Sequence, residues 1–161
     1  MTSSDADTNN TAPTLVFKRK QTAGINEGNN TDNSFKLSKD IPWDVKVDTG
    51  ASECILDFSE IMVDKLEYDG GASNFKATFS DKNSLTEIKI DAGVSDISLT
   101  IPETAGIKVR TDKGLSSTNF GGQGWIKNNN VYKTSNYDQA ACKFDIDADI
   151  GLSSFNIKRS K

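Results

Sequence analysis

From Ile41 to the C-terminus, apolar and polar residues alternate in short runs, and the runs break at recurring glycines. Five positions before each glycine stand Val45, Leu66, Ile88, Val109 and Ile146; three before it stand Val47, Tyr68, Ile90, Thr111 and Ala148. Four positions after it come Cys54, Phe75, Ile97, Thr118 and Phe155, and six after it Leu56, Ala77, Leu99, Phe120 and Ile157. Alternation with a period of two on both sides predicts two half-buried strands per unit, joined at a tight corner. No segment carries a helical period of useful length. The chain reads as all-β.

The corner itself repeats as Asp-x-Gly-(Ala/Val/Leu)-Ser. The copies begin at Asp48 with Gly50, Asp69 with Gly71, Asp91 with Gly93, Asp112 with Gly114, and Asp149 with Gly151. The glycines are spaced by 21, 22, 21 and 37 residues. A two-strand unit of this length cannot bury its own apolar face, so neighbouring units are expected to stack as rungs around a shared core. The expectation is a short β-helix or solenoid of about five rungs, with like residues in columns. Glycine is expected to serve a positive φ at the corner. Pro102 should end the strand Ile97–Ile101. The long last interval, from Gly121 through Trp125 to Asp138, reads as a loop or hairpin inserted into one rung. Such an insertion is expected to project from one face.

Before this region the pattern vanishes. Residues 1–34 are rich in Ser, Thr, Asn, Asp and Gly and read as a flexible tail or linker, leaving 35–161 as the domain. The single apolar run, Leu15-Val16-Phe17, is placed to add one edge strand through Lys18. Sequons at Asn9 and Asn29 follow from the tail's composition.

Composition narrows the chemistry. The 161 residues carry 19 Lys plus Arg against 23 Asp plus Glu, a net charge of −4, and no histidine. An acidic chain without a basic stripe argues against nucleic acid as a partner. Without histidine there is no Ser-His-Asp or Cys-His nucleophile and no His-containing metal site. Cys54 and Cys142 form neither a zinc cluster nor a disulfide framework. No apolar run approaches transmembrane length, and the start at Met1 lacks the basic and apolar regions of a signal peptide. The expected setting is either the cytoplasm or an envelope protein whose anchor is absent from this chain.

Several motifs support a resemblance. Gly93-Val-Ser-Asp-Ile-Ser-Leu-Thr-Ile-Pro102 is followed by Gly106-Ile-Lys-Val109, Gly124-Trp125, Asn136-Tyr-Asp-Gln-Ala140, Lys143-Phe-Asp-Ile-Asp147 and Gly151-Leu-Ser-Ser-Phe-Asn-Ile157. In this order the chain resembles the toast-rack family, which includes the C-terminal domain of LiaF-type cell-wall-stress proteins and related adhesin-like domains. The resemblance implies a right-handed β-helix-like domain of the bacterial cell envelope, non-catalytic and usually attached to membrane segments. It also implies a protein partner there, a sensor kinase among the options. Two departures stand out. The family's glycine-acid turn is Gly-Ala-Ser or Gly-Leu-Ser in most copies, and membrane helices are absent.

Other features invite chemical readings. In register, Asp48, Asp69, Asp91, Asp112 and Asp149 would stack about 4.8 Å apart and repel by about 1 kcal/mol per pair in water. An Asx-turn that caps each corner is the simpler reading, and a calcium row the alternative. Asp145, Asp147 and Asp149 read as a solvated strand face rather than a metal cluster. Gly121-Gly122-x-Gly124 resembles a phosphate loop only in composition. The thiols read as buried and inert, with a cross-rung disulfide as the alternative. Neither a metal nor a small-molecule cofactor is expected.

Trp125, Tyr132 and Tyr137 are the candidate contact surface. Aromatic residues in such an insert either cap the stack or meet a partner. Trp43 is placed to cover the open end before the first rung. Three function classes follow: a non-catalytic envelope domain for protein interaction or stress regulation, an adhesin-like module for polysaccharide or host protein, and a carbohydrate-active β-helix enzyme. The last normally needs a cleft along a much longer stack.

Overall fold

The computed structural model describes residues 12–18, 36–111, 117–122, 124–151 and 154–161. Eleven strands are present: β1 (Thr14–Lys18), β2 (Pro42–Thr49), β3 (Ser52–Phe58), β4 (Met62–Phe79), β5 (Leu85–Pro102), β6 (Gly106–Thr111), β7 (Ser117–Phe120), β8 (Trp125–Asn128), β9 (Val131–Thr134), β10 (Lys143–Ile150) and β11 (Ser154–Ser160). No helix is found among the described residues.

These strands make five two-limbed rungs: β2–β3, β4, β5, β6–β7 and β10–β11. All pairings between rungs are parallel and in register, so Asp48 aligns with Asp69, Asp69 with Asp91, and Asp91 with Asp149. Columns inferred from the sequence become the core. Leu66, Ile88, Val109 and Ile146 are buried in one limb, and Phe75, Ile97 and Phe155 in the other. Between the limbs Tyr68 stacks on Phe75 with ring centroids 4.0 Å apart, and Phe144 meets Phe79 edge-on at 5.4 Å. Side chains of both limbs thus interdigitate in one dry spine, the arrangement that recovers most dispersion and hydrophobic energy. The columns thin toward the ends: Cys54, Leu56 and Phe120 are half-buried, and Thr118 is exposed.

Three expectations about the corner are corrected. First, β4 and β5 run unbroken through the repeat, so the corner is a bend in extended chain rather than a turn between strands. Burial alternates up to Ala92, both Gly93 and Val94 are exposed, and alternation resumes from Ser95 with the opposite phase. Second, the described corner glycines have no positive φ; among the described glycines only Gly122 and Gly124 do. Glycine is needed because the rungs approach there. A Cβ on Gly151 would lie 2.6 Å from the Gly93 carbonyl oxygen, and one on Gly93 would lie 3.2 Å from that of Gly71. Third, Asp48, Asp69, Asp91 and Asp149 are exposed and make no hydrogen bond to a corner amide among the described residues. The Gly151 amide instead donates to the Ala92 carbonyl of the next rung at 2.9 Å. On extended backbone the aspartate side chain points away from its own following amides. Asp112 and Gly114 lie outside the described residues.

Stacking order also departs from chain order. β10 lies between β5 and β6, and β11 between β5 and β7, so the last rung in sequence is the fourth in space. Residues 103–105 join the two rungs it separates. The Glu103 amide donates to the Ser160 carbonyl at 2.8 Å, and the Arg159 guanidinium donates to the carbonyls of Glu103 and Ala105. As read from the sequence, Pro102 ends β5.

Both ends of the first limb are covered. β1 pairs with β2, which realises the edge strand over Leu15–Lys18, and Trp43 packs half-buried beside it with its indole donating to the Ser38 carbonyl at 3.0 Å. At the far end the insert forms a hairpin. β9 pairs antiparallel with β6 and β8 with β9, with Asn129 at a φ of 53° in the turn.

Crowding rather than handedness makes the glycine column selective. Gly151→Ala should therefore lower stability by about 1–3 kcal/mol through a forced backbone shift. Gly71→Ala, whose Cβ would sit 3.4 Å from the Gly50 carbonyl oxygen, should change it by less than about 0.5 kcal/mol. Urea unfolding followed by fluorescence compares the two; equal losses would restore the φ explanation.

Candidate functional site

The three aromatic residues of the insert split between two surfaces. Tyr132 lies opposite Val109 in the β6–β9 ladder and so faces the core side, whereas the neighbouring Lys133 faces out opposite Lys108. Phe120, at the end of the second limb, gathers Trp125 at 5.0 Å, Tyr132 at 5.1 Å and Phe155 at 5.5 Å between ring centroids. The Trp125 indole donates to the Gly121 carbonyl at 3.1 Å. Trp125 and Tyr132 therefore close the end of the core. Rather than projecting from one face, the insert folds back over the β6–β7 rung at the end of the stack. The Ile107 amide secures it by donating to Thr134 Oγ1 at 2.9 Å.

Tyr137 belongs to a different group. It follows β9 on the outer face, where its hydroxyl donates to Asp145 and accepts from Lys108 Nζ at 3.2 Å; Lys108 also pairs directly with Asp145. Three ammonium groups surround its ring: Lys108 at 5.0 Å, Lys133 at 5.2 Å and Lys143 at 5.7 Å from the centroid. Such half-buried cation–π contacts contribute about 0.5–1 kcal/mol each. Lys133 is held in turn by both carboxylate oxygens of Asp138, at 2.9 and 2.8 Å.

Burial pushes the Tyr137 hydroxyl up, and Asp145 adds to that shift. Burial works against the Lys108 charge, but the hydrogen bonds to Asp145 and Tyr137 outweigh it and raise the ammonium as well. This tyrosine ties the last rung to the one above it. Its residue type was legible in the sequence; its partners, 29 and 8 positions away, were not.

The outer face of the first limb carries charge in columns. Four positions before the glycine, the spatial order is Lys46, Glu67, Lys89, Asp147, Arg110, which alternates throughout. Lys46 meets Glu67 at 3.0 Å and Arg110 meets Asp147 at 3.6 Å. Asp145 and Asp147 are thus half of cross-rung ion pairs, while Asp149 continues the exposed aspartate row. Among the described residues no group of three or more acids and cysteines is placed to hold a metal ion. Cys54 and Cys142 are free thiols, each pushed by burial to about 11, with Asp81 adding to the effect at Cys142.

A shallow groove runs beside the hairpin. It is lined by Ile126, Val131, Lys133, Ser135, Asp138 and the asparagines of the turn.

These features define a class: an all-β domain of parallel, in-register rungs with a hairpin cap. The chain belongs to the toast-rack family, whose N-terminal domain, DUF2154, matches residues 2–101. That match ends at the last inward residue of β5, before the out-of-order rungs. Among solved structures the chain is similar to "a putative cell adhesion protein from Clostridium sporogenes ATCC 15579". The TM-score is 0.68 at 24% identity, over 85% of this chain and 68% of that one. At this identity the likeness concerns the fold. No curated protein matches the chain. No described helix is long and apolar enough to cross a membrane.

Two measurements probe these assignments. At pH 8 both thiols should react with Ellman's reagent at least about tenfold more slowly in the native protein than in urea, because a thiol at about 11 is scarcely ionised. Prompt native reaction of either would show an accessible thiolate. For Tyr137 and Lys108 both shifts are upward, so the stability they add is complete below about pH 10 and is lost as pH rises through the folded values. Tyr137→Phe should cost about 1 kcal/mol at pH 7, and the gap to wild type should close as pH rises through the raised folded value. A gap that stays constant with pH would show that the hydroxyl network is not coupled.

Proposed function

We propose that this chain is a non-catalytic module of the bacterial cell envelope that acts by contacting another protein. The observation that carries the reading is the in-register stack itself. It spreads equivalent side chains along parallel rows on broad faces, as Lys46, Glu67, Lys89, Asp147 and Arg110 are spread, where a catalytic centre needs unlike groups converging on one point. Rows of fixed, alternating charge suit an extended surface with complementary rows, and they contribute orientation and association rate. Membership of the toast-rack family and the likeness of fold to a protein described as a putative cell adhesion protein support the envelope setting. A regulatory partner such as a sensor kinase is the finer form of the same reading.

The hairpin groove favours a second reading, in which the partner is a polysaccharide. Its amide, hydroxyl and carboxylate groups beside Ile126 and Val131 are of the kind that bind sugar hydroxyls and their apolar faces.

The discriminating experiment uses immobilised protein, bacterial envelope extract and a glycan array. A variant carrying Lys46→Ala, Glu67→Ala and Lys89→Ala alters only the outer rows, and a second variant carries Asn128→Ala, Lys133→Ala and Asp138→Ala. Capture of one defined envelope protein, reduced at least about tenfold by the first variant and not by the second, is the expected result. Glycan binding lost in the second variant alone would replace it with the polysaccharide reading.

A further inference from the structure

The last rung occupies a slot. β10 and β11 enter between β5 on one side and β6 and β7 on the other, and both faces of the slot are parallel strand edges. Without the inserted rung these edges would stay joined through residues 103–105 alone. Rungs β2–β3, β4 and β5 are stacked in chain order; this one is threaded back between β5 and the β6–β7 rung, both of which precede it. Its link to the hairpin is residues 135–142, in which the Tyr137 hydroxyl bonds both Lys108 of β6 and Asp145 of the inserted rung, and the Ser135 amide donates to the Gly124 carbonyl at 2.8 Å. Asn136 Nδ2 donates to the Thr104 carbonyl at 3.2 Å, and the Gly106 amide donates to the Cys142 carbonyl at 2.9 Å.

The slot is selective for what fills it. Lys89 and Arg110 flank position 147 from the two sides, so an acid there separates two cations that would otherwise face each other. Gly151 sits where any Cβ would strike the Gly93 carbonyl oxygen. Phe144 and Phe155 reach Phe79 and Phe120 respectively. No segment elsewhere in the chain combines these features at this spacing, but a second copy of the chain supplies them all.

We propose that this slot is a strand-acceptor site, and that two copies of the chain pair by exchanging β10 and β11 reciprocally. Exchange preserves the ladders of the inserted rung with β5, β6 and β7 and alters the path of residues 135–142, whose Tyr137 bonds to Lys108 and Asp145 must re-form, so its cost falls on that link and on association. The occupant adds a strand on both of its sides, whereas the outer edge of β3 offers one side only. Self-pairing of β3 about Ile55 would also set the acids Glu53 and Asp57 against each other. The proposal is independent of the envelope reading: it specifies a homotypic contact whatever the protein's other partner.

The test is refolding of the full chain from urea at low concentration and at about a hundredfold higher concentration, followed by size-exclusion chromatography with light scattering. Reporter cysteines are placed on a Cys54→Ser, Cys142→Ala background. One pair, Ser98→Cys with Asn156→Cys, spans the slot; a control pair, Ile55→Cys with Lys76→Cys, spans rungs that follow in chain order. Directly opposite parallel positions lie within disulfide reach. The expected result is a dimer fraction at least tenfold greater after concentrated refolding, with the slot pair oxidised between chains and the control pair within each chain. A chain that stays monomeric, a dimer whose slot pair closes within one chain, or interchain closure of the control pair as well would each overturn the proposal. Should the cysteine background not fold, wild-type copies with two different tags serve instead. Mixed dimers should form on co-refolding and not on brief mixing of folded copies; their absence after co-refolding is equally decisive against exchange.

Discussion

The parallel hydrogen-bond ladder between rungs is the constraint on which the rest of the structure depends. Because the rungs are in register, a side chain's nearest neighbours outside its own strand belong to the same column, about 4.8 Å away. Each column must then tolerate its own repetition. Apolar columns do so by building a continuous spine, from Leu66 and Ile88 through Ile146 to Val109. The glycine column does so by leaving room for the next rung's carbonyl oxygen. Charged columns do so in two ways: by alternating, as from Lys46 to Arg110, or by remaining exposed, as the aspartates do at the corner.

The same constraint explains why the aromatic residues of the insert serve the scaffold. A parallel stack ends in an open edge and a cut through its core, and both invite association. The β8–β9 hairpin deals with the two together, since its antiparallel pairing covers β6 while Trp125 and Tyr132 cover Phe120. Tyr137 has another task, joining Lys108 and Asp145 across two adjacent rungs. Aromatic composition alone could not separate these roles, because the facing of Tyr132 and Tyr137 depends on the ladder through β6 and on the path after β9.

The order of the rungs adds contacts of longer range than those between consecutive rungs. Placing the C-terminal rung between β5 and β6 makes the end of the chain part of the middle of the core. Arg159 and Ser160 then latch against residues 103–105, and closure of the domain depends on residues far apart in sequence. Contacts of that kind must offset a large loop-closure entropy before they stabilise.

By itself the sequence determined the all-β class, the five rungs and, Thr118 apart, the core columns at five and three positions before the glycine and four and six after it, because period-two alternation and a repeated Gly are local properties. The edge strand at Leu15–Lys18 and the stop at Pro102 were legible for the same reason, whereas the insert read equally as a loop or a hairpin. Stacking order was not. The column from Lys46 alternates in charge only with the last rung inserted, whereas the column Asp44, Lys65, Glu87, Lys108, Asp145 alternates only in chain order. In the structure Asp145 lies beside Glu87 on one side, and Lys108 and Tyr137 hold it on the other. Local patterns are degenerate among rungs that all share one shape. Only the tertiary structure, by assigning each edge its neighbour, decided which charges meet, why the corner must be glycine and where the aromatic residues end up.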